Sequence, residues 1–228
     1  MAKGDPVWAL AITMIATHAF FVPNLFTLFR RRWHFEFFIS CFGFTTSLFY
    51  HTCQVFQSEL FLNELQWHRL DNIGAIAAFG VWFTYLADLR ESHPGWDMAV
   101  KYVVLTTAIL LQERDPWNVD FTIAPIVVFG SLPLWTHSFV HRRWPRYHRR
   151  QFLLGWLLLG IAIAGFIVGL DDDHDPYRMF HSVWHIAGGM SLPYLWSMVN
   201  LPAALGGVGG AAAVGVAAMV PKDVSSVV

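Results

Sequence analysis

Residues 152–170 read FLLGWLLLGIAIAGFIVGL, nineteen residues without a single charge. As an α-helix this stretch is about 28 Å long at 1.5 Å per residue, close to the roughly 30 Å hydrocarbon core of a bilayer. Six more windows follow the same pattern, so the expected spans are residues 6–29, 35–56, 67–89, 97–112, 121–140, 152–170 and 177–200. Prolines at 23, 125, 133 and 193 fall inside these windows, where they are tolerated as kinks. Short connectors join the windows and leave no room for a soluble domain. Residues 201–228 form a Gly/Ala-rich carboxyl tail, in which 201–220 reads as a membrane-adjacent tail or an eighth span.

Composition points the same way. Of 228 residues, 55% are hydrophobic and only 14% charged, whereas soluble domains carry about 25% charged residues. Disorder is excluded, because the chain has ample apolar residues to bury. Cys41 and Cys53 are too few for a disulfide framework or a thiolate zinc cluster and read as reduced thiols. The first window is longer than a signal-peptide core and lacks a small-residue cleavage site, so it reads as a retained helix. No phosphate loop, nucleophile elbow or nucleic-acid motif occurs. The expected fold is therefore all-α, a polytopic seven-transmembrane-helix bundle.

The formal net charge of -1 conceals an asymmetry. Alternate connectors, including Arg30–Arg32 and the arginines between 142 and 150, collect eleven Lys/Arg with the carboxyl tail, and the opposite side holds four. The positive-inside tendency then puts the amino terminus outside and the carboxyl terminus cytosolic. The expected location is a plasma membrane or secretory-pathway membrane.

Among eleven histidines, His34, His93, His141 and His148 read as interfacial, and His18 and His137 as helix-to-helix hydrogen-bond partners. Four other residues stand apart. Ser47 and His51 are one turn apart in SLFYHTC, and His181 and His185 one turn apart in FHSVWHIAGG. An i, i+4 pair shares one helix face, so the latter two imidazoles can grip one ion. Asp71 lies a little inside the start of the third window. With the expected topology, His51, His181, His185 and Asp71 all fall roughly 5–13 Å inside the outer, extracellular or lumenal, boundary. Three histidines with an open fourth position for water are a catalytic zinc pattern. Asp71 would handle the proton or ligate directly, and Ser47 would assist a ligand or an oxyanion. The competing explanation pairs Asp71 with Arg69 or Trp indoles and lets the histidines merely join helices.

These same residues carry a resemblance. LFYHTCQ at 48–54, LDNIGAIAAFGVW at 70–82, the Trp117–Asn118 pair and DPYRMFHSVWHIAGG at 175–189 resemble the transmembrane protein 8/myomaker family. That family lies within the seven-span superfamily of alkaline ceramidases and progestin/adipoQ receptors, and the likeness covers most of residues 25–200. The resemblance implies a zinc ion held by His51, His181 and His185, with Asp71 and Ser47 beside the bound water, and an outer amino terminus. Family activities divide between phospholipase A2-type hydrolysis and cell fusion. This chain lacks both the large extracellular region of the longer enzymes and the cysteine-rich tail of vertebrate myomaker.

The first expectation is thus a zinc-dependent hydrolase of a lipid ester or amide. The partner would be a membrane lipid substrate or ligand, with a homodimer compatible and no nucleic acid. The alternatives are a zinc-stabilised, non-enzymatic protein of lipid binding, adhesion or fusion, and a receptor-like bundle without metal. The acidic connector 171–175 reads as a solvated loop in preference to a calcium site. The basic connector 142–150 reads as a topology signal, although it could also attract anionic lipids.

Overall fold

The computed structural model describes residues 5–89, 94–171 and 174–199. The tail 201–228 with its candidate eighth span, Asp172 and Asp173 of the acidic connector, and Lys3, Arg90, Glu91 and His93 of the charge and histidine assignments lie outside the described residues. Within the described residues every regular element is helical and no strand is present. The helical rods are α1 (Val7–Arg30), α2 (His34–Phe56), α3 (Glu64–Leu86), α4 (Pro94–Arg114), α5 (Val119–Val140), α6 (Arg149–Val168) and α7 (Met179–Leu195). Three of them, α1, α5 and α6, are long and apolar enough to cross a membrane, which marks an integral membrane protein.

Side-chain distribution agrees with that class. Large apolar residues face outward, among them Trp8, Val127, Phe139 and Leu157, whereas His18, Asn24, Glu36, Lys101 and Gln112 are buried. In water this arrangement would be upside down. Lys101 sits between two carboxylates, Glu36 Oε1 at 2.6 Å and Asp97 Oδ2 at 2.9 Å, and ties α4 to α2. An interior charge survives in such a setting only when it is paired and hydrogen-bonded.

Local chemistry sets several helix ends. Asn63 and Gln66 form a reciprocal capping box at the start of α3. At its other end, the carbonyls of Leu86 and Ala87 accept from Nε2 of His137 and His141 at 2.7 and 3.1 Å. His137 is thus the interhelical hydrogen-bond partner its sequence position suggests. The start of α7 departs from expectation. Asp175, in the acidic connector, is fully buried and its two carboxylate oxygens accept from the Phe180 and His181 amides at 2.7 and 3.0 Å. It caps the helix whose first face carries His181. Tyr177 and Arg178, immediately before that helix, both adopt left-handed backbone, φ 54° and 55°, a conformation unfavourable for non-glycine residues.

Two close backbone approaches fix the register of the rods that matter for function. A Cβ at Gly74 would lie 2.6 Å from the Gly43 Cα, so α3 and α2 meet nearly backbone to backbone. Only glycine at 74 allows that contact. One turn further along these antiparallel helices, Ser47 and Asp71 come opposite each other. A Cβ at Gly189 would likewise meet the Phe20 backbone at 2.7 Å, which presses α7 onto α1 and brings His185 level with Thr17 and His18.

Candidate metal centre

The three histidines expected at the site lie near one another, but the buried trio whose ligand atoms all fall within 4.8 Å is His18, His51 and His185, without His181. The Nε2 atoms of His51 and His181 are 3.2 Å apart, and the ring centroids of His51, His181 and His185 lie 4.8–4.9 Å from one another. Two nitrogens bound tetrahedrally to one zinc at about 2.0–2.1 Å are separated by about 3.3 Å, so the His51–His181 edge has the spacing a zinc ion requires.

The outer ring nitrogens are held in a way that leaves the inner ones free. Nδ1 of His51 is 3.2 Å from Gln54 Oε1, an acceptor, so Nδ1 carries the proton and Nε2 the lone pair. Thr17 does the same for His185. The Thr17 hydroxyl donates to the Thr13 carbonyl at 2.7 Å and is 3.1 Å from His185 Nδ1. Having only one proton to give, the Thr17 oxygen accepts from Nδ1–H and leaves His185 Nε2 as the lone-pair donor. Outer hydrogen bonds of this kind fix the tautomer and orientation of metal-binding imidazoles.

Asp71 and Ser47 come together as well. Ser47 lies close enough to the Asp71 carboxylate to interact with it, a position from which its hydroxyl can orient Asp71. Arg69, the pairing partner weighed for Asp71, bonds Glu113 at 3.1 Å instead. Asp71, Ser47, His18 and His185 share the wall of one cavity of about 130 Å³. That cavity extends to Ile39 on α2, Trp82 on α3 and Leu195 on α7, which lie eight, eleven and ten residues from Ser47, Asp71 and His185. At 1.5 Å per residue these steps are about 12–16 Å on each helix. The polar groups gather at one end, and the rest of the lining is mainly apolar. Asn24, buried and with Oδ1 lacking a hydrogen-bond partner, is a polar exception along the way.

One member was not anticipated. His18, read from sequence as an ordinary interhelical partner, makes no hydrogen bond to another helix. It packs on the cluster instead, its ring centroid 4.3 Å from that of His185 and 5.5 Å from that of His51. Ring nitrogens of His18, His51 and His185 lie within 4.8 Å of one another. Its intramembrane position was the only signal in the sequence. Counted from its helix start, His18 is about 16 Å along α1 and His185 only about 9 Å along α7, so a comparison of depths separates residues that the bundle places side by side. Thr17, Gln54 and Asp175 were likewise missed, since nothing in their own spacing marks them.

The donor set, the three buried imidazoles of His18, His51 and His185 with that of His181 beside them and no thiolate, suits a borderline-soft divalent ion such as zinc. The residues present therefore fit the metal implied by the family resemblance. Among the curated proteins searched, none matches this chain. The model of a family described as "protein of unknown function (DUF3522)" matches residues 6–186, a stretch that contains every ring of the cluster together with Ser47 and Asp71. The chain belongs to the DUF3522 family.

Proposed function

We propose that this protein is a zinc-dependent, membrane-embedded hydrolase that cleaves an ester or amide bond of a membrane lipid. The observation carrying the reading is the shared cavity: Ser47, Asp71 and His185 occupy one end of a mainly apolar chamber. His51, His181 and His185 would hold the ion, and zinc bound there supplies Lewis-acid activation of a water. Asp71 takes the proton from that water and delivers it to the leaving group. Ser47, beside Asp71 in the cavity wall, would keep the carboxylate aimed. Gln54 and Thr17 keep His51 and His185 in the tautomers that offer Nε2. The apolar lining between Phe79, Trp82, Leu192 and Leu195 suits a hydrocarbon chain and excludes water from the far end.

The proposal includes the kinship with the transmembrane protein 8/myomaker family and its superfamily. It also includes seven spans corresponding to α1–α7, an outer amino terminus, and a site in the extracellular or lumenal half of a plasma or secretory-pathway membrane. The charge asymmetry of the connectors supports that orientation.

Purified full-length protein, assayed for zinc content and for hydrolysis of phospholipid and ceramide substrates, tests the function. Near-stoichiometric zinc and turnover lost in His181→Ala are expected; protein without zinc, or turnover unchanged in that variant, refutes it. Single-cysteine labelling of the 57–63 and 141–148 connectors from either side tests the orientation, and labelling of both from one side refutes it.

A further inference from the structure

His18 is 1% exposed, yet neither ring nitrogen has a hydrogen-bond partner. The nearby carbonyls of Met14 and Ile15 lie outside hydrogen-bond geometry. A neutral imidazole offers one N–H and one lone pair, and burying both unpaired is costly. Two of its ring neighbours, Phe21 and Phe44 at 6.0 and 6.3 Å between centroids, provide no conventional acceptor or donor. The other two are His185 and His51, the imidazoles whose Nδ1 atoms are already engaged with Thr17 and Gln54. One His18 ring nitrogen lies within 4.8 Å of ligand nitrogens of His51 and His185, an arrangement that a cation would complete.

The helix carrying His18 is built for this placement. In α1 a π-helical turn at Ala11–Ile15 runs into a 3-10 stretch at Ala16–Phe21, from which Thr17 bonds His185 and His18 packs on it. Such turns recur at functional sites.

We infer that His18 is a fourth metal ligand, so that His18, His51, His181 and His185 form a closed four-imidazole centre in the resting protein. This rests on the reading of the cluster as a metal site. Of the four rings, only those of His18 and His185 line the cavity, and a hydrogen bond to Thr17 holds His185, whereas no hydrogen bond holds His18. His18 is accordingly the ligand whose departure opens the centre toward a molecule in the cavity.

Cobalt(II)-loaded full-length protein provides the test, with X-ray absorption to count imidazoles and visible absorption to report coordination. The wild type is expected to show four imidazoles. His18→Phe, which keeps an aromatic ring beside Phe21 and Phe44, should retain cobalt, lose one imidazole and shift its visible bands. Three imidazoles in the wild type, or a His18→Phe spectrum superimposable on the wild type, overturns the assignment of His18 while leaving the metal site standing. A wild-type protein that takes up no cobalt and no zinc overturns the metal reading itself. The wild-type count needs no variant, so poor folding of His18→Phe does not block the decision.

Discussion

Thr17 and His185 are bonded across two helices, Oγ1 to Nδ1 at 3.1 Å, while the same Thr17 hydroxyl donates to the Thr13 carbonyl at 2.7 Å. The direction of this chain is forced, because a hydroxyl has one proton. It commits His185 to the tautomer with a free Nε2. Thr17→Val keeps the shape and removes the acceptor, so zinc affinity should fall about 10–100-fold, measured by competition with a chromophoric chelator. Thr17→Ser should retain wild-type affinity. Equal affinity in all three proteins would mean that Thr17 does not set the tautomer.

Asp71 and Ser47 should separate chemistry from metal binding. Asp71→Asn is expected to lower lipid turnover by about 10²–10⁴-fold, the usual contribution of a positioned general base, with zinc content unchanged. Ser47→Ala should cost less, since Asp71 loses only its orienting bond. Both are read by hydrolysis in detergent–lipid micelles alongside metal analysis, and zinc lost in Asp71→Asn would make Asp71 a ligand in place of a proton carrier.

The α2–α3 crossing should tolerate change on one side only. A Cβ at Gly74 would sit 2.6 Å from the Gly43 Cα, whereas a Cβ at Gly43 would find its nearest neighbour at 3.6 Å. Gly74→Ala should therefore destabilise by about 1–3 kcal/mol, the cost of forcing a packed contact apart. Gly43→Ala should stay within about 0.5 kcal/mol. Unfolding in detergent compares the two, and a Gly43→Ala penalty as large as that of Gly74→Ala would contradict the crossing.

Asp175 should act on His181 through the backbone. Asp175→Ala removes the acceptor for the His181 amide and should cost about 0.5–2 kcal/mol, as for other helix caps. Hydrogen exchange at residues 179–182 should accelerate, and zinc should bind more weakly, with exchange in α3 unaffected. Unchanged exchange at 179–182 would show that the cap does not hold this turn.

Lys101 should be intolerant of simple removal. Lys101→Met leaves the buried Glu36 and Asp97 carboxylates without their shared cation, and breaking such an ion pair costs about 3–5 kcal/mol. Adding Glu36→Gln and Asp97→Asn should recover part of the loss. Thermal unfolding of the single and triple variants measures both effects.

How much of this was legible beforehand follows from the range of each signal. The run at 152–170 and the sparse charge mark a helical membrane protein, because nineteen uncharged, mainly apolar residues in a row have few other stable fates. The i, i+4 spacing of His181 and His185 places them on one face, because helical periodicity is a local property. His51 and Asp71 could be added only by assuming that span ends are level with the membrane boundary. His18 was set aside because a lone intramembrane histidine, with no partner one turn away, reads as a helix-to-helix hydrogen-bond partner.

Sequence by itself thus determined the class of protein, the helical rods, and the residue types able to bind an ion within a single helix face. Tertiary structure alone decided that His18 joins the cluster, that Thr17 and Gln54 orient two of its rings, and that Asp175 is a buried cap and not a solvated acid. The physical reason is that a helix's own periodicity says nothing about its register against the next one. That register is set by close contacts such as Gly43–Gly74 and Phe20–Gly189, which exist only once the bundle has packed.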